Sequence, residues 1–64
     1  MTDWIYYEEK ARDMMRQAFI YEANPKKIMP KDIKRFAKDE NLVIRDLNCA
    51  YENVKHKFNP NDDF

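Results

Sequence analysis

Between Trp4 and Tyr21 the apolar residues fall at positions 4, 7, 11, 14, 18 and 21, with Ile5, Met15 and Phe19 widening the stripe. Steps of three and four residues place them on one side of a helix. Thr2 or Asp3 is placed to cap the start, and nothing interrupts the pattern before Asn24-Pro25. There the proline forces the residue ahead of it out of the helical region. The first helix is therefore expected from about residue 2 to residue 23, a rod of about 30 Å. A rod of that length with one apolar side needs a surface to lie against, either a second helix of the chain or a copy of itself.

Two shorter helices follow. Pro30 suits a first helical position because its missing N–H has no partner there anyway, and Asp32 falls in the first turn, where the helix dipole favours an acid. The stretch PKDIKRFAKDE predicts a helix over 30–40 with Ile33, Phe36 and Ala37 on its inner side, ended at Asn41, which tolerates a left-handed backbone. Ile44, Leu47, Tyr51, Val54 and Phe58 then step by 3, 4, 3 and 4, predicting a third helix up to Phe58 with Lys55, His56 and Lys57 in its last turn. The expected architecture is all-α, a long N-terminal helix followed by a shorter two-helix unit. It forms one small domain over residues 1–58 with a flexible tail over 59–64.

Composition narrows the chemistry. Glycine is absent, which removes Gly-rich phosphate loops, nucleophile elbows and most tight hairpins. One cysteine cannot form an internal disulfide, and one histidine with it does not make a zinc site, so no cofactor or metal is expected. Apolar runs of two or three residues cannot span a membrane, and the opening MTDWIYYEEK lacks a secretory pattern, so the expected location is cytoplasmic. Acid neighbours such as Glu8-Glu9 and Asp62-Asp63 do not converge on one substrate atom. Cys49 and His56 would stand about 10 Å apart along a helix, too far for a nucleophile and its base. Cys49 is expected in the core and His56 outside it, and no enzymatic activity is expected.

The formal charge of zero hides a segregation: −2 over residues 1–25, +5 over 26–38 and −3 over 39–64. Lys26, Lys27, Lys31, Lys34, Arg35 and Lys38 make up the basic block. Such a cluster attracts phosphate, and it also serves to keep a short helix soluble.

Within 33–52, IKRFAKDENLVIRDLNCAYE, Ala37 supplies a small inner residue, Asn41 stands four positions later, Leu42 follows as a buried turn residue, and Leu47 and Ala50 face inward. The stretch FAKDENLV is similar to the helix-turn-helix segment of phage Cro-type repressors, departing at Glu40, where that family has an apolar residue, and at the missing glycine. The resemblance implies that Val43, Arg45, Asp46, Asn48, Cys49 and Glu52 face a DNA groove. Arg45 and Asn48 are the good base readers among them, while Asp46 and Glu52 would repel phosphate. A second string, KKIMPKDI, resembles the loop and last-helix start of core histones over about residues 4–38. That resemblance implies a phosphate contact at Lys26 and Lys27. It departs at Pro25 and Lys27, where the family has arginine and threonine, and at the missing first helix and the extra last one.

Nine aromatic residues and four methionines are many for 64 positions. Trp4, Tyr7 and Tyr21 lie on the first stripe, whereas Tyr6 and Ile20 lie off it, on a second line through 10, 13 and 17. Tyr and Trp bury large areas at small entropic cost and are enriched at interfaces. Two readings stay open. One is a small DNA-associating regulator using the basic block with Arg45 and Asn48. The other is a protein-binding adaptor or inhibitor of phage or bacterial type, acting through Trp4, Tyr6, Tyr7, Ile20 and Tyr21, with a homodimer through the first helix compatible with either.

Overall fold

A computed structural model describes residues 1–62 as three α-helices and a short 3-10 turn: α1 (Trp4–Ile20), α2 (Pro30–Asp39), α3 (Ile44–Val54) and the turn Lys55–Lys57. The chain is an all-α domain, with no strand among the described residues. Asp3 caps α1, its carboxylate accepting the Tyr6 N–H at 3.1 Å, while Thr2 turns away and donates to the Asp46 carboxylate at 2.8 Å.

Both α1 and α2 end in the same device. The Ala23 N–H donates to the Ala18 carbonyl at 2.8 Å and the Glu22 N–H to the Phe19 carbonyl at 3.0 Å, with Glu22 at φ 61°. At the end of α2 the Leu42 N–H donates to the Ala37 carbonyl at 2.7 Å and the Asn41 N–H to the Lys38 carbonyl at 3.3 Å, with Asn41 at φ 56°. Each is a Schellman end, which wants glycine at the left-handed position; this glycine-free chain uses asparagine once and glutamate once. The Glu22 end stops α1 at Ile20, three residues short of the expected limit, before proline can act.

α3 is the helix on which α1 and α2 pack. The core is Ala11, Met14 and Met15 from α1, Ile33 and Ala37 from α2, Leu47, Ala50, Tyr51 and Val54 from α3, and Phe58 beyond it, with Tyr7, Ile28, Phe36 and Leu42 packed on its edge. The expected stripe on α1 is correct in the middle and wrong at its ends: Trp4, Ile5, Phe19 and Tyr21 are exposed, Tyr21 by 81%. Length explains this, since α1 spans about 25 Å and α3 about 16 Å, so the end turns of α1 have less beneath them. Ile44, expected inside, is also exposed, because it opens α3 before the other helices cover it.

The third helix is shorter than expected. It changes at Lys55 into the 3-10 turn, and Phe58 reaches the core from extended backbone. Asn59 to Asp62 form a turn in which the Asp62 N–H donates to the Asn59 carbonyl at 3.0 Å. The rest of the expected tail, Asp63 and Phe64, lies outside the described residues.

Candidate nucleic-acid interface

Buried Ile33 and Ala37 turn one side of α2 to the core, so helical spacing turns positions 31, 34, 35 and 38 to the opposite side. Lys31, Lys34, Arg35 and Lys38 therefore form a single outward stripe, about 10 Å long, and all four are exposed. Lys26 and Lys27, in the preceding loop, are exposed as well, Lys27 at the rim of a groove between α1 and α2 and Lys26 beside Phe19 and His56. No ion pair among the described residues involves any of these six cations; the pairs are Lys10–Glu40, Arg12–Glu9, Arg16–Asp13 and Lys55–Glu52. A stripe of one sign without acidic partners gives a local positive potential on a neutral molecule.

The loop that carries Lys26 and Lys27 is held by Tyr51. This side chain is 2% exposed, and its hydroxyl donates to the Pro25 carbonyl at 2.9 Å while accepting the Ile28 N–H at 3.1 Å. An Asn24 side chain accepting the Lys26 N–H at 2.9 Å closes the bend. Sequence reasoning placed Tyr51 only in the core, since periodicity reports which side a residue faces and not what its hydroxyl reaches.

The turn from α2 into α3 is four residues, Glu40 to Val43. Asn41 takes the left-handed position, Leu42 packs on the core, and Ala37, Leu47 and Ala50 are fully buried. Glu40, which departs from the repressor-like pattern, is not an uncompensated buried acid: it is half-buried and accepts from Lys10 Nζ at 3.0 Å. That contact raises the Lys10 pKa, chiefly through the hydrogen bond to Glu40 and against a smaller desolvation effect. Tyr7 supports the turn from the other side, its hydroxyl accepting the Val43 N–H at 2.8 Å.

On α3, Arg45, Asn48, Cys49 and Glu52 are exposed opposite the Leu47 to Val54 face. Cys49 thus stands outside the core, a correction to the expectation, because four residues around it already fill the inner side of α3. Both acids here have partners: Asp46 takes the Thr2 hydroxyl, and Glu52 pairs with Lys55 at 2.9 Å. Glu52 also raises the Lys55 pKa, again chiefly by its hydrogen bond. His56 is exposed. Among the described residues no group of three or more His, Cys, Asp or Glu side chains is placed to hold a metal ion, and no helix is long and apolar enough to cross a membrane.

The aromatic residues on α1 divide. Tyr7 is half-buried and engaged within the fold, whereas Trp4, Tyr6, Ile20 and Tyr21 are exposed. Tyr6 stands edge-on to Tyr7, with ring centroids 6.0 Å apart, and under Lys10 Nζ at 5.5 Å. Between α1 and α2 lies a groove of about 490 Å³, lined by Met14, Ala18, Tyr21, Ile28, Met29 and Phe36. Its rim sets Lys27 and Arg35 against Asp32 and Asp39, so it favours neither sign of charge. No family model, curated protein or solved structure matches the chain.

Proposed function

We propose that the protein is a small non-enzymatic regulator that associates with DNA, α2 lying along the phosphate backbone and the start of α3 supplying base contacts. The observation that carries this reading is the outward stripe of Lys31, Lys34, Arg35 and Lys38, none of them in an ion pair among the described residues. In helix-turn-helix proteins the first helix of the pair crosses the backbone and the second presents its exposed side to the groove. Arg45 suits guanine and Asn48 adenine on that exposed side of α3. The Thr2 and Lys55 contacts to Asp46 and Glu52 reduce the repulsion those carboxylates would exert on phosphate.

The test is binding of a labelled random-sequence DNA duplex, followed by fluorescence anisotropy from low to near-physiological salt. Replacing Lys31, Lys34 and Arg35 together with Ala weakens binding to every sequence. It also lowers the log–log salt slope by about one unit for each phosphate no longer neutralised. A slope identical to that of the unaltered chain overturns the reading.

A second reading is favoured by a different observation, the exposure of Trp4, Tyr6, Ile20 and Tyr21 on α1. On this reading the protein is an adaptor or inhibitor that captures another protein through that helix. Tyr6→Glu or Ile20→Glu then abolishes capture and leaves the helical circular dichroism signal intact. A loss of helix with either change overturns it.

A further inference from the structure

We infer that the groove between α1 and α2, at the end where the two helices are joined, takes an unpaired guanine base of the DNA whose phosphates lie along α2. The inference rests on the reading of α2 as a phosphate-binding helix, and not on base contacts from α3. Tyr21 directly follows α1 and Met29 directly precedes α2, so both stand at the joined end. Both line the groove and are exposed, Tyr21 by 81% and Met29 by 56%. An open ring beside a polarisable thioether is a stacking platform for a flat aromatic ligand. The volume of about 490 Å³ falls within the range of small-ligand sites.

The charges at this end select the ligand. Lys27 lies in the connection, and Asp32 and Arg35 stand one turn apart on the groove side of α2, while Asp39 is about 10 Å further along that helix. None of Lys27, Asp32 and Arg35 takes part in an ion pair among the described residues. Two cations around one acid suit a ligand that is anionic at one end and a hydrogen-bond donor at the other, as a nucleotide is. A carboxylate has two acceptor oxygens and no donor. Its complement is a pair of adjacent donors, and among the DNA bases guanine has it, N1–H beside the N2 amino group. Adenine and cytosine set their amino group beside an acceptor nitrogen, and thymine has a single N–H. In a duplex the guanine edge is occupied by cytosine, so the base that presents it is unpaired.

Arg35 joins the groove to the basic stripe. It borders the groove and also belongs to the outward row with Lys31, Lys34 and Lys38. A strand with its base on Tyr21 therefore passes its neighbouring phosphates over Arg35 to Lys31. This end is ordered before a ligand arrives, since the buried Tyr51 hydroxyl holds Pro25 and Ile28 on either side of Lys27.

Fluorescence anisotropy at low salt, with a duplex labelled at one end, tests the groove. The blunt duplex is compared with forms carrying at the other end a short single strand of thymines, or of thymines around one guanine. The guanine extension binds on the order of tenfold more tightly than the blunt duplex, and the thymine extension gains less. Tyr21→Ala removes the gain from both extensions. Asp32→Asn keeps the shape but sets a donor amide against the guanine donors, and it makes the two extensions equal. Both residues are exposed, so each variant keeps its helical circular dichroism and its affinity for the blunt duplex. A guanine extension that binds no better than the blunt duplex overturns the inference and leaves the phosphate reading of α2 standing. So do extensions that gain alike whichever base they carry, or a guanine preference that survives Asp32→Asn. A chain that binds none of the three DNAs overturns both.

Discussion

The outer faces of α1 and α2 both carry cations and differ in how those charges are partnered. On α1, Arg12 and Arg16 each stand three residues after an acid and bond to it. On α2, Lys31, Lys34, Arg35 and Lys38 stand at similar helical spacings and form no ion pair among the described residues, although Asp32 and Asp39 border Arg35 on the groove side. A paired cation contributes little field beyond its own partner, whereas four like charges on one stripe add. Net charge, which is zero here, says nothing about this difference. The two faces therefore present different fields, and the DNA reading proposed above rests on that of α2.

The strongest way to break that comparison is to remove cations from each face in turn. Taking Lys31, Lys34 and Arg35 to Ala lowers the salt slope of DNA binding by about three units, while taking Arg12 and Arg16 to Ala changes it by less than about half a unit. Equal losses from both faces would show that the pairing on α1 is immaterial and that only total charge counts.

Two tyrosines sharpen it at the level of the scaffold. Tyr51→Phe removes the hydroxyl that ties Pro25 and Ile28, costs about 1–2 kcal/mol in urea unfolding, and loosens the loop bearing Lys26 and Lys27. Tyr7→Phe removes the hydroxyl that accepts from Val43, but that N–H is reachable by water, and the expected cost is about 0.5 kcal/mol. Equal costs would mean that burial at Tyr51 adds nothing to its two hydrogen bonds.

The ends of the two helices give a smaller contrast. Glutamate has no local means of stabilising a left-handed backbone and asparagine has some, so Glu22→Gly raises stability by about 1 kcal/mol and Asn41→Gly by a few tenths. Thermal unfolding of both variants reads the difference, and a larger gain at Asn41 would contradict the assignment of strain to Glu22.

What the chain order revealed, and what it hid, follows from the range of each signal. Helical spacing and the proline at α2 are local, and they locate three helices and most of the core, including Ile33, Ala37, Leu47, Tyr51 and Val54. The substitute for glycine at Asn41 is legible for the same reason. The exposure of Trp4, Phe19, Tyr21 and Ile44 depends on how far a neighbouring helix extends, which no window within one helix contains. Glu22 was illegible because glutamate is among the less usual residues to turn left-handed. The Tyr51 and Tyr7 anchors join residues 23 to 36 positions apart. The basic block is visible as composition, but its lack of ion pairs among the described residues becomes visible only when the acids are placed.

The finest contrast concerns a cation that does have a partner. Lys10 on α1 meets Glu40 beside the α2–α3 turn, and its pKa lies above the ordinary 10.5 because the Glu40 carboxylate accepts from the ammonium. A base whose folded pKa is raised contributes its stability in full below the unfolded value and loses it as pH rises through the folded one. Both groups are open to solvent, so the contribution is small and screened by salt. Urea midpoints of the unaltered chain and Lys10→Met should therefore differ slightly at pH 7 and converge above pH 10.5. A gap of the same size at pH 7 and above pH 10.5 would mean that the Lys10–Glu40 contact adds nothing to folding and that Lys10 acts only through its packing.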